Sequence, residues 1–164
     1  MLVSVTPEDF GSDDALAGIE LQRKIEHAAY RVTGSYKAPS VRLGDLLAGN
    51  FSSSVRGVTP SYPIGTVTAD PREYMPNFIP ESIALAMPDF DAWTPGYLFE
   101  DATLTGPETR TTSPVRIERD ESGCAQGFAG VYPTGEGAGY AGGIVSSAVD
   151  GIRMAEKAIL KHLK

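Results

Sequence analysis

The chain has 164 residues, enough for one ordinary domain or for a piece of a larger one. With 41% hydrophobic, 21% charged and 9% aromatic residues its composition is globular, which excludes wholesale disorder. A formal charge of -7 and a pI near 4.8 argue against duplex nucleic acid or an anionic membrane surface as partner.

Taken from the N-terminus, "LVSVTPEDF" reads as a short strand ending at Pro7. "SDDALAGIELQRKIEHAAYRVTG" reads as an amphipathic helix. Ser12, Asp13 and Asp14 supply caps and negative charge at its start, Leu21, Ile25, Ala28 and Val32 line one face, and Gly34 stops it. Gln22, Arg23 and Glu26 form its expected solvated face. From Tyr36 to Pro76 the pattern breaks up. One short helix, Leu43 to Ala48 closed by Gly49, stands out; "FSSSVRGVTPSYPIGTVTADP" shows no sustained period. An aperiodic stretch this long is either functional or packed against something outside the chain.

A second helix is predicted over Pro80 to Met87, limited by Pro88. In "DAWTPGYLF", Trp93 and Tyr97 read as packing anchors. Asp89 and Asp91 read as paired carboxylates or as members of an exposed turn. "YLFEDATLTGPETRTTSPVRIERDESG" suggests two short strands and a turn; Val115 and Ile117 alternate with Arg116 and Glu118, which buries one face and leaves the other charged. "GFAGVYPT" reads as a third, more apolar strand. The last helix starts near Gly142 or Gly143 and runs towards Lys161, with a stripe of Val145, Ala148, Val149, Ile152, Ala155 and Ile159. The expected fold class is therefore α+β, short strands with two long amphipathic helices.

Gly137, Gly139 and Gly142 spell G-x-G-x-x-G between a strand-like and a helix-like run. A dinucleotide-binding turn needs a second parallel strand and an acidic residue about 20 positions further on. Only 22 residues follow Gly142, and the helix uses nearly all of them. The turn therefore does not open such a domain. What survives is local: glycines let backbone approach a ligand, and a helix start presents free N–H groups and a positive dipole end. The Glu136 carboxylate, between Gly135 and Gly137, is placed to accept from ligand hydroxyls. The competing reading is a tight strand-to-helix connection that needs glycine only for backbone shape.

Cys124 is the only cysteine and His27 and His162 the only histidines. That leaves no disulfide framework, makes a histidine or cysteine metal site improbable, and fits a reducing compartment. Cys124 reads as an incidental loop thiol, and Ser146 and Ser147 as first-turn helix residues without a nucleophilic role. There is no secretory signal and no apolar run long enough for a bilayer, so a cytoplasmic, soluble protein is expected.

"GVYPTGEGAGYAGGIVSSAVDGIRMAE" together with "ETRTTSPVRIERD" resembles the C-terminal end of bacterial FAD-dependent dehydrogenases of the NAD(FAD)-utilising type. "DDALAGIELQRKIEHAAY", "YKAPSVRLGDLLAG" and "PIGTVTADPREYMPNFIPESIALAMPDF" resemble the region before it, so the likeness covers nearly the whole chain. The resemblance implies part of a two-dinucleotide-fold flavoprotein whose FAD domain is discontinuous. Residues 1–107 would belong to the inserted, substrate domain and residues 108–164 to the returning strand and helix of the FAD domain. Gly135 and Glu136, with Gly137, would be the acidic pair and turn facing the ribityl chain; Gly142, Gly143 and Ile144 would be the helix start beside the flavin. Arg110 and Arg116 would lie near the flavin or a domain interface, to bind an anionic substrate or reduced flavin. Arg116 is alternatively the solvent-facing member of its strand.

The implied partner is the missing N-terminal FAD-binding half, with self-association through exposed apolar surface as a further possibility. FAD would be the cofactor of the full-length protein and NAD(P)H its electron donor. No residue stands out as a catalytic acid or base. A reading from another class is a non-catalytic domain that offers the same helix start to a phosphate or a protein.

Overall fold

The computed structural model describes residues 1–51 and 58–163. Residues 52–57, within the stretch read above as aperiodic, and the side chain of His162 lie outside the described residues. The chain divides into two compact units. One is Met1–Asp9 with Leu21–Thr109; the other is Phe10–Glu20 with Arg110–Lys164.

The first unit is built on a small sheet. Strand β1 (Ala38–Arg42) lies at its centre, with β2 (Thr66–Thr68) parallel on one side and β3 (Thr103–Thr105) antiparallel on the other. The register pairs Pro39 with Val67 and Val41 with Leu104. Strands β1 and β2 fall where no period was visible, whereas β3 lies in the stretch expected to hold two short strands. Three to five residues are too few to display one, and β1 is buried on both faces, so Ser40 and Val41 are sealed alike.

Helix α1 (Ala17–Thr33) contributes Ile25, Ala28 and Ala29 as buried residues. Ala28 and Ala29 join Ala69 and Tyr74 in one apolar cluster, with Val32 and Met75 packed against it. The helix begins after Asp14, whose carboxylate accepts the Leu16 N–H at 2.8 Å, and ends at Gly34, where φ reaches 61°. Gln22 and Glu26 are not on a solvated face. The Gln22 amide donates to the Thr109 carbonyl at 2.7 Å, and Glu26 accepts the Thr109 hydroxyl at 2.6 Å. Arg23 is exposed.

Helix α2 (Leu43–Ala48) has the predicted bounds and is closed by Gly49 in the left-handed region. Its first N–H groups find carbonyls beyond the helix: Leu43 N donates to Ala102 O and Gly44 N to Glu100 O. Leu43 is 1% exposed, and burying such a side chain is worth roughly 1.5–3 kcal/mol.

Helix α3 (Phe78–Trp93) continues through Pro88, where termination was expected. Proline leaves the Ala84 carbonyl without its helical donor, a local cost. The adjacent Met87 is 1% exposed, so its packing holds the helix across the break. Trp93 is not a buried anchor. It is exposed and meets Phe90 edge-on, while Tyr97 stacks at a tilt on the same ring. Asp91 serves as a cap, accepting from the N–H groups of Gly96 and Leu98. The N-terminal residues expected as a strand run beside Ile83, Ala86 and Phe90 of α3 without a ladder partner, then enter a 3₁₀ turn at Pro7–Phe10.

The second unit has another character. Its long element is α4 (Ile144–His162), so three helices are long rather than two. Among its described residues there is no strand. The alternation at 115–118 and the apolar run at 127–134 do not become ladders; a single bridge, Arg119 with Ala125, remains. Gly127 and Gly130, both at φ 79°, turn the chain inside the run that reads as extended.

The amphipathicity of α4 is inverted relative to expectation. Ser147, Asp150, Gly151, Met154 and Ala158 form the covered side. Val145, Ala148, Val149, Ile152, Ala155 and Ile159, the predicted core stripe, are all exposed, with Ile144 at 93%.

Candidate functional site

The covered side of α4 holds the glycine turn that precedes it. Gly135 sits at φ 69°, ψ -155°, a conformation open to glycine and hardly to other residues. Its N–H donates to Asp150 Oδ2 at 2.8 Å, and its carbonyl accepts the Tyr140 N–H at 3.2 Å. Between these anchors Glu136–Ala138 form one 3₁₀ turn, ended by Gly139 at φ 78°. A side chain at Gly139 would collide with the Val115 carbonyl and the Arg116 backbone. Ile117 N–H reaches the Ala138 carbonyl at 3.2 Å, and the Ser113 hydroxyl lies 3.3 Å from that of Gly137. The glycines of the G-x-G-x-x-G spacing therefore serve different ends. Gly139 meets the chain itself, whereas a side chain at Gly137 would meet nothing within 4 Å.

Asp150 is the hub. Besides the Gly135 N–H, it accepts the Thr134 hydroxyl at 3.1 Å and both terminal nitrogens of Arg119 at 3.1 Å. Both members of the ion pair are largely covered, Arg119 at 10% and Asp150 at 16% side-chain exposure. The Gly135 N–H first, then Arg119 and Thr134, outweigh burial and hold the Asp150 carboxyl below its ordinary value. The Arg119 guanidinium carbon also lies over the Tyr140 ring, 3.2 Å from its centroid, and that of Arg116 lies 4.2 Å from the same centroid. The Tyr140 hydroxyl donates to the Ile117 carbonyl at 3.0 Å, and Arg116, then Arg119, hold its pKa below the ordinary phenol value.

Of the residues singled out from sequence, Gly135 comes against the first turn of α4. A Cβ on Gly135 would sit 3.7 Å from Ser147 Cβ. Glu136, Gly137, Gly142, Gly143 and Ile144 are exposed around that turn. The Gly143 N–H is taken by Ser146 Oγ at 3.1 Å, while the following N–H groups of the first turn have no helical acceptor. Arg116 does not belong to an alternating strand; it stacks on Tyr140 and thereby reaches the turn. Arg110 is exposed at the start of the unit's main segment. Sequence reasoning missed Asp150, Arg119 and Tyr140. The available signal was an acid inside an otherwise apolar helix run, "IVSSAVDGI".

A second polar knot lies further along α4. Lys157 Nζ donates to the Glu121 carbonyl at 3.0 Å, and Lys161 Nζ lies 3.2 Å from Cys124 Sγ. Cys124 is 1% exposed, so the thiol is an interior group rather than a loose loop residue. The Ser122 hydroxyl first, then the Gly130 N–H, the Tyr132 hydroxyl and Lys161, overcome burial and bring the thiol down to about 7. Among the described residues no group of His, Cys, Asp and Glu is placed to hold a metal ion. Nor is any helix among them long and apolar enough to cross a membrane.

The arrangement can therefore offer a carboxylate at the tip of a fixed turn, an open helix start and an arginine held on an aromatic face. An uncharacterized protein of Clostridium beijerinckii is 44% identical over 162 residues, which are 98% of this chain and 30% of that protein. The chain thus spans about 30% of the length of the curated relative it matches. The family model for FAD-dependent protein, C-terminal domain-like, matches residues 1–111, from the N-terminus through the sheet unit to Thr111. On the strength of that match over most of its length, the chain belongs to the FAD-dependent protein C-terminal domain-like family.

Proposed function

We propose that the chain is the C-terminal part of a cytoplasmic FAD-dependent oxidoreductase of the NAD(FAD)-utilising type, with the turn at Gly135–Gly137 and the start of α4 facing the flavin. The residues fit such a group. The position beside Gly137 is open, Glu136 is exposed in a turn that begins and ends on glycines in positive-φ conformations, and Gly142, Gly143 and Ile144 leave the helix start uncovered. When bound, FAD supplies the electron and hydride chemistry, with a nicotinamide nucleotide as donor. The chain's own residues bind and orient. Glu136 accepts hydroxyls of the ribityl chain, and the free N–H groups and dipole of α4 favour an electron-rich edge. Arg116 and Arg110 are the candidates for an anionic substrate or the reduced flavin.

One observation carries the reading: the helix whose start is open also turns its apolar stripe outward. An exposed patch of this kind marks an interface. The relative matched over 98% of this chain has most of its length outside the match, which is where a covering surface would come from. The proposed partner is that remaining, FAD-binding portion, with self-association of isolated chains as the substitute.

Purified full-length Clostridium beijerinckii protein is expected to carry flavin absorption bands, and the isolated 164-residue chain to show no micromolar FAD binding by calorimetry. A full-length protein that is colourless and takes up no FAD sinks the reading.

A further inference from the structure

We infer that Asp150, with Arg119, is a positioning pair that sets the orientation of the Gly135–Glu136 turn towards the flavin; this rests on the function proposed above. No ladder holds the turn, since no strand exists among the described residues of this unit. Two glycines at positive φ leave its backbone intrinsically loose. Ile117 N–H and the Ser113 hydroxyl hold its far side at the Ala138 and Gly137 carbonyls, and the side chain that grips it at Gly135 is Asp150. Its Oδ2 accepts the Gly135 N–H and the Thr134 hydroxyl, with Arg119 Nη1 at 3.3 Å, and its Oδ1 accepts both terminal nitrogens of Arg119 at 3.1 Å.

Charge-assisted bonds of this kind are short and directional. Because Asp150 lies two turns into α4, it ties the turn to the same helix whose start is open to the ligand. Arg119 in turn is held by the Tyr140 ring, and the Tyr140 N–H returns to the Gly135 carbonyl. Both backbone polar groups of Gly135 are thereby satisfied internally. Gly135 is not itself a donor to the ligand; it is the pivot that aims Glu136.

The test has two arms. In the 164-residue chain, amide hydrogen exchange should show the Gly135 N–H protected in the wild type. Asp150→Asn should exchange at least tenfold faster there, and Thr134→Val, which loses one bond, more modestly. Amides from Met154 onward in α4 should be unchanged in both, and Glu136→Gln should leave Gly135 unchanged. Unmoved Gly135 exchange in Asp150→Asn overturns the inference.

The second arm uses the Clostridium beijerinckii protein with this chain in place of its matching segment, titrated with FAD. Asp150→Asn and Glu136→Gln should each weaken FAD about tenfold, with the double variant no weaker than either. Loss in Glu136→Gln alone overturns the positioning role while the flavin reading stands. No loss in either variant overturns the flavin reading of the turn, and the inference with it.

Discussion

The two units reach order by opposite routes. The first has a hydrogen-bonded sheet and an apolar interior in which Val41, Leu43 and Met87 are almost wholly buried. The second has an isolated bridge, a part-buried ion pair and lysines donating from α4 to a loop, while Ile144, Val145, Ile152 and Ile159 lie outside. A unit that turns polar groups inward and aliphatic ones outward gains little from burial on its own. It is shaped to complete its packing against something else, whereas the sheet unit has a buried apolar interior of its own even though Leu85, Trp93 and Tyr36 remain exposed on it. The contrast also explains why the candidate site lies in the second unit: its fixed points are charged and directional, and its turn is glycine-rich.

The comparison can be broken most sharply from the sheet side. Leu43→Ala should remove about 2–5 kcal/mol of stability, read from denaturant unfolding, because it leaves a cavity in the closed core. A loss below about 1 kcal/mol would mean that the first unit is as loosely packed as the second. Next comes the turn. Gly139→Ala should cost more than about 1 kcal/mol, through positive φ and collision with the Val115 carbonyl, while Gly137→Ala should stay within about 0.5 kcal/mol. Equal effects at the two glycines would remove the distinction drawn between them.

Acid should loosen the second unit through its hub. Asp150 has its carboxyl lowered in the folded state, so the stability it contributes is present above the unfolded value, about pH 4. That stability drains away as pH falls through the lower folded value. The Gly135 amide resonance should report the transition, and Asp150→Asn should abolish it. The smallest expected effect on stability is on the outer face of α4. Ile152→Ser should change unfolding by no more than about 0.5 kcal/mol, yet reduce light scattering and hydrophobic-dye binding by the isolated chain. Substantial destabilisation would place Ile152 in a core that the structure assigns to the opposite face.

Much of the helical framework was legible. The α2 segment could be bounded by eye, because leucines and a closing glycine are local signals, and Gly34 likewise announces the end of α1. The turn at Gly135–Gly137 and the helix start at Gly142–Ile144 were legible as candidate site residues for the same reason. Strand β3 lies in a stretch that reads as strand-forming, but β1 and β2 were not legible. Ala38–Arg42 depends on partners at Thr66–Thr68 and Thr103–Thr105, more than 20 residues away along the chain, and no local period reveals such pairing. Pro88 misled because its local penalty is real, and only the buried Met87 beside it shows why the helix persists.

By itself the sequence determined where helices nucleate and stop, that α4 would be amphipathic, and that a glycine turn with a carboxylate at its tip would precede it. These follow from propensity, caps and backbone freedom, which act over a few residues. Only the tertiary structure decided which side of α4 is covered, and that Asp150 rather than an apolar stripe faces the turn. A periodic pattern states that a helix has two faces. Which one is buried depends on the surfaces available to it, and those come from residues distant in the chain.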